Sequence, residues 1–138
     1  MNKRMTITLW TLQVLLAVAF AAHGWLMVAP PAELLQIMNE ELGVAFRLFI
    51  GVAELLAAVG LILPGLTRIL PGLTALAAAG LSIIMVCATV LHASRGETSS
   101  AITTAILLVL TLFVAYMRWR VSPIRSRQSL KPATALQS

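Results

Sequence analysis

The sequence predicts an all-α fold: a polytopic membrane protein built as an antiparallel bundle of four transmembrane helices, with a short interfacial helix between the first and second. Three observations lead there. Four apolar runs, each of about twenty residues and long enough to cross a hydrocarbon core, alternate with turn-forming segments. Hydrophobic residues make up 59% of the chain and charged residues only 11%, whereas a water-soluble domain carries about a quarter charged residues. Basic side chains fall almost wholly on one side of the resulting arrangement, as the positive-inside rule requires.

With 138 residues there is room for one domain, expected over residues 1–120 with a basic, disordered tail over 121–138. Ten Lys and Arg against five acidic residues could suggest nucleic acid. Eight of those ten lie in the two tails or one short loop, so topology accounts for them and nucleic acid is excluded as a partner. Cys87 is the only cysteine; no intramolecular disulfide or paired-thiol relay can form, and a small buried apolar role is expected for it.

The first span is expected over residues 7–28, after a short basic start. A basic start followed by an apolar core and small residues at Ala19, Ala21 and Ala22 also resembles a secretory signal. The apolar character continues through Trp25 to Val28, beyond the about 7–15 residues of a signal core, which favours an uncleaved helix. Pro30 and Pro31 end it. In AELLQIMNEELG the residues Leu34, Leu35, Ile37, Met38 and Leu42 share one face and Glu33, Glu40 and Glu41 another, the pattern of an amphipathic helix at the interface or capping the bundle. Gly43 opens the second span, over residues 44–63.

The connection LPGLTRILPGLT carries the pentamer LPGLT twice and predicts two Pro-Gly turns bounding a tight hairpin. The third span, over residues 73–91, offers Ala75, Ala79 and Gly80 as a small-residue packing surface. HASRGE forms the exit loop, and the fourth span covers residues 98–117. Gln13, Thr89 and Thr103 are expected to hydrogen-bond between helices. In this topology Lys3, Arg4, Arg68, Arg118 and the tail share one side, while Arg47 and Arg95 share the other with Glu33, Glu40, Glu41 and Glu97. The positive-inside rule then places both termini in the cytoplasm. Trp10, Trp119 and Trp25 fall near the two boundaries, where aromatic belts form.

The chain is organised around FRLFIGVAELLAAVGLILPG, from Phe46 to Gly65. An ionised residue at the centre of a span costs about 2.5–3.5 kcal/mol, against about 0.3–0.6 returned by each Leu, Ile, Phe or Val. Glu54 therefore requires a polar partner or a wet cavity. Arg47, Gly51, Glu54 and Ala58 share one helical face, a small and polar stripe predicted to face protein, while the bulky apolar side chains face lipid.

Four polar side chains then come to similar depth. Arg47 lies near the outer boundary and Glu54 about 10 Å deeper. His23 stands near the outer end of the first span, and His92 closes that of the third. The expected site is one pocket lined by all four, with Glu54 and His92 as catalytic groups and Arg47 and His23 as ligand-binding groups. It would hold a neutral acid that donates a hydrogen bond, or a carboxylate paired with Arg47 or a protonated histidine. Structural roles are open for each: Arg47 and Glu54 as interhelical glue, the histidines as wet interfacial groups. A metal held by His23, His92 and Glu54 lacks the local spacing of a ligand set, and none is assigned.

The Arg47-x6-Glu54 pair, the Pro-Gly turn with Arg68, and LTALAAAGLSIIMVCATVLHASRGE leading to His92 and Glu97 together resemble the DoxX-like family of small four-helix membrane proteins. The resemblance is carried by residues 46–97, with the outer spans matching in hydrophobicity and position. It implies a bacterial inner-membrane protein, similar to small membrane subunits of thiosulfate:quinone oxidoreductase and to components of oxidoreductase complexes that handle thiol stress. It also admits assembly factors. The leading expectation is thus a membrane component of a quinone-linked redox or detoxification system, with a quinone as the cofactor in view and a redox subunit or a second copy as partner. No haem, flavin or iron–sulfur motif is present, so electrons would travel through a bound quinone or a partner. The alternative is a non-catalytic assembly factor or scaffold. Transport is disfavoured, because four helices without an inverted repeat leave little room for alternating access.

Overall fold

The structure, a computed structural model, describes residues 2–128. Helix α1 spans Lys3–Val28, α2 Ala32–Leu42, α3 Val44–Thr67, α4 Gly72–Ser94 and α5 Thr98–Tyr116, which runs on into a π-helical turn, Met117–Val121. Four of these segments are long and apolar enough to cross a membrane: α1, α3, α4, and α5 with its π-turn. Each packs on the next in the order α1, α3, α4, α5, and α5 returns to touch α1. Among the described residues the backbones of α1 and α4, on the diagonal, stay apart, and their side chains meet in the shared core. This is the expected antiparallel bundle.

Four of the five acidic residues lie at one end of the bundle, and every described Lys and Arg except Arg47 and Arg95 lies toward the other. At the acidic end, α2 packs on α3 and meets Arg95 after α4 through Glu41, and none of its residues is buried. Leu34, Leu35 and Ile37 stay exposed. An amphipathic helix that leaves its apolar face uncovered by protein suits the membrane boundary better than a cap over the core.

The predicted stripe of the second span is the buried face of α3: Arg47, Gly51, Glu54 and Ala58 are buried, and Leu61, Pro64 and Gly65 extend it. Leu48, Leu56, Val59 and Leu63 point outward. In lipid, small residues let helices approach while branched ones face acyl chains, so the outward-facing surface is the apolar one. The core consists of Leu16, Ala17 and Phe20 of α1, Ala58 and Leu61 of α3, Ala78, Leu81 and Met85 of α4, and Val114 of α5.

Several local expectations are corrected. Helix α3 does not end at Leu63 but runs through Pro64 to Thr67. The first Pro-Gly pair is therefore inside a helix, with Gly65 buried against Trp10 and Ile124. Only Pro71-Gly72 marks the turn, and its left-handed residues are Arg68 (φ 57°) and Leu70 (φ 48°) rather than glycines. On α4 the buried small residues are Ala75 and Ala78; Ala79 is only half-buried, and Gly80 faces outward with nothing near it. Cys87 is exposed on the outside of α4. Helices α4 and α5 are joined by Thr89–Thr104 and Ser82–Thr111 hydroxyl pairs, each at 3.0 Å, while Thr103 bonds only within its own helix, to the Ser99 carbonyl. After the π-turn, Ser122 is buried and the Arg127 N–H donates to the Arg68 carbonyl at 3.1 Å, so residues 122–128 fold back on the basic end. The rest of the expected disordered tail, 129–138, lies outside the described residues.

A buried carboxylate–imidazole pair as candidate functional site

Glu54 is the one acidic residue within a span, and its side chain is 0% exposed. Its Oε2 lies 2.6 Å from Nδ1 of His23 on α1. Among the described residues its Oε1, equally buried, has no hydrogen-bond partner. His23 differs in exposure, with 50% of its side chain accessible. The imidazole therefore stands between the hidden carboxylate and the outer surface of α1. With Nδ1 engaged by the carboxylate, Nε2 is the nitrogen left to meet another group. That is the arrangement in which a carboxylate orients an imidazole for proton exchange.

Two glycines create the contact. A Cβ on Gly24 would lie 2.9 Å from the Gly51 carbonyl oxygen, and one on Gly51 would lie 2.8 Å from the Met27 Cβ. Only hydrogen at both positions lets α1 and α3 come this close. His23, beside Gly24, then meets Glu54, three residues along α3 from Gly51.

Arg47 occupies a different place from the one expected. It does not share a pocket with Glu54: it is 4% exposed, and its guanidinium donates through Nη1 to the Met27 carbonyl and through Nε to Asn39 Oδ1 at 2.9 Å. Met27 lies in the last turn of α1, where carbonyls lack helical partners and a cation is favoured by the helix dipole. Arg47 thus clamps α1, α2 and α3 at the acidic end. No hydrogen bond joins it to Glu54.

His92 does not join the pair either. Its Nδ1 bonds Glu97 Oε2 within the α4–α5 connection. Gly60 of α3 faces Ala77 of α4, so in antiparallel register Glu54 lies level with Ile83, about nine residues or 13 Å along the axis from His92. Arg95 completes this rim, 3.7 Å from Glu41. The single four-residue pocket is therefore resolved into three sites: the Glu54–His23 pair, the Arg47 clamp and the His92–Glu97 rim.

A further polar cluster lies at the basic end. Gln13, 0% exposed, donates through Nε2 to the Leu61 carbonyl at 2.6 Å and accepts from Arg118 Nε at 2.6 Å. The expectation that Gln13 bonds between helices is met here; that Arg118 is buried was not anticipated. Charge counting treats Arg118 as a topology signal, and only an amide inside the first span hints that something must meet it.

Four apolar helices around an internal carboxylate define a multi-pass membrane protein that keeps a polar group out of water. The chain belongs to the DoxX-like family, whose profile matches residues 11–114 and so takes in Gln13, His23, Arg47, Glu54 and His92. No curated protein and no solved structure matches it significantly.

Proposed function

We propose that this protein is a membrane component of a quinone-linked redox or detoxification system, in which Glu54 and His23 exchange a proton with a small polar ligand such as a quinone head group. The observation that carries the reading is the unpartnered Oε1 of a wholly buried carboxylate whose other oxygen is held by an imidazole. A buried polar atom without a partner is costly, about 1–3 kcal/mol. A ligand hydroxyl or carbonyl at Oε1 would remove that cost, the carboxyl group accepting or donating according to its own protonation. A quinone, when bound, supplies the two-electron, two-proton chemistry; the chain's own groups hold its oxygen and carry the proton. Glu54 takes the proton at Oε1, His23 receives one through Nδ1, and Nε2 hands one on toward the outside. Arg47 keeps α1 and α3 in register for this contact. His92 and Glu97 form a second imidazole–carboxylate pair at the rim, where protons can be exchanged with water.

Membership of the family supports a bacterial inner-membrane location, and the positive-inside rule supports an orientation with both termini in the cytoplasm. A scaffold or assembly role is the second reading. It is favoured by Arg47, whose guanidinium ties three helices together.

Photoaffinity labelling with a quinone analogue in lipid nanodiscs separates the two. Wild-type protein should label saturably, and E54Q should label about tenfold less at an unchanged melting temperature, the loss of one charge-assisted hydrogen bond. Absence of labelling in the wild type, or equal labelling of E54Q, rejects the ligand site and leaves the scaffold.

A further inference from the structure

The basic end of the bundle holds a buried cation that the proposed proton pair does not use. Arg118, in the π-turn, is 5% exposed. Among the described residues its Nε is engaged by Gln13, its Nη1 reaches only the Ser122 carbonyl at a long 3.4 Å, and its Nη2 is buried without a hydrogen-bond partner. The guanidinium lies 5.4 Å from the ring centre of Trp10. Among the described residues none of its neighbours is an anion. The five acidic residues are Glu33, Glu40, Glu41, Glu54 and Glu97, and the topology puts four of them at the opposite end and the fifth inside the bundle. Instead the basic end adds Arg68, Arg120, Arg125 and Arg127.

A second unsatisfied group lies at the same end. Thr74, in the first turn of α4, is 0% exposed and its Oγ1 has no partner among the described residues; α4 packs against the π-turn that carries Arg118. Removing one partner from a buried charge is among the costliest changes in a protein interior, and a buried charge is ordinarily paired. An orphaned guanidinium nitrogen and an orphaned hydroxyl, with no anion at this end among the described residues, call for a ligand that brings negative charge and acceptors. A phosphate group does both, and a guanidinium recognises it by its planar fork. The π-turn itself, closed by the Ser122 N–H on the Met117 carbonyl at 2.6 Å, is a departure from α-helical geometry that often marks functional positions.

We propose that Arg118, positioned by Gln13 and Trp10, binds a phosphate group at the basic end of the bundle. The phosphate belongs either to the headgroup of an anionic phospholipid or to a free phosphate ion. Residues 122–128 lie at this end too, with Ser122 buried beside Arg118 and Arg127 tied to Arg68.

The test uses the full chain in a non-ionic detergent, with thermal unfolding and native mass spectrometry as readouts. Three probes are compared: dioleoylphosphatidylglycerol, dioleoylglycerol (the same tails without the phosphate) and inorganic phosphate. The expected result is a saturable rise in melting temperature with one phosphatidylglycerol retained per chain, none with dioleoylglycerol, and an apparent affinity about tenfold weaker in R118Q than in wild type or R120Q. A rise with inorganic phosphate alone identifies the free ion as the source; a rise only with the phospholipid identifies the lipid. Should R118Q fail to fold, the wild-type contrast between the phosphate-bearing probes and dioleoylglycerol decides. No shift with either phosphate probe, an equal effect of dioleoylglycerol, or an unchanged response in R118Q overturns the site.

Discussion

Arg47 shows what one side chain can hold together. Its guanidinium satisfies a carbonyl at the end of α1 and an amide on α2 while itself rooted in α3. Arg47→Met keeps the volume and removes both hydrogen bonds; it should lower stability by about 2–3 kcal/mol, the range for bonds to charged groups. Arg47→Lys should recover less than half of this, since an ammonium lacks the two-pronged geometry. Chemical unfolding in mixed micelles measures both. His23 and Glu54 are a different case, because a proton rather than a clamp is at stake. His23→Gln should leave melting within a few degrees of wild type yet reduce quinone-analogue labelling toward that of E54Q. Labelling at the wild-type level in His23→Gln would remove the imidazole from the proton path.

At the scale of elements, the α1–α3 pair rests on close approach and the α4–α5 pair on hydroxyls. Gly24→Ala places a methyl group 2.9 Å from a backbone oxygen, which cannot be relieved by a rotamer change, so the helices must separate. A loss of about 1–3 kcal/mol is expected, as for overpacking in a tight core. Gly80→Ala, where nothing lies within 4 Å, should instead be neutral or stabilising by up to about 1 kcal/mol from helix propensity. The opposite signs of these two Gly-to-Ala changes, read by thermal unfolding, test the packing directly. Between α4 and α5, a double-mutant cycle on Ser82→Ala and Thr111→Val should give a coupling of about 0.6 kcal/mol, typical of interhelical hydrogen bonds in membranes. A coupling near zero would show that the hydroxyls bond only to their own helices, as each also does.

For the molecule as a whole, charge is sorted by end. Cytoplasmic and periplasmic reporter fusions after Gln128 should both report a cytoplasmic position for that end. Moving three or more of Lys3, Arg4, Arg68 and Arg120 to the acidic-end loops should produce mixed orientation, because the bias of Lys and Arg sets topology. The same sorting creates the two buried polar sites. One is a carboxylate toward the acidic end with an imidazole beside it, the other a guanidinium at the basic end with no counter-charge among the described residues.

The number of spans, their order and the inward stripe of α3 were legible in the sequence, because hydrophobic length and helical period are local properties that lipid enforces on every segment alike. Burial of Glu54 followed from the same reasoning: a charge in an apolar run has to face protein. Which histidine meets it did not follow. His23 and His92 read alike as imidazoles near the outer ends of spans, and only the Gly24–Gly51 approach and the register of α3 against α4 separate them. Arg118 and Cys87 were misjudged for the same reason, since a boundary arginine and a mid-span thiol take their surroundings from neighbouring helices and not from their own. Composition and periodicity decide whether a side chain leaves water; the rotation and spacing of packed helices decide what it then touches.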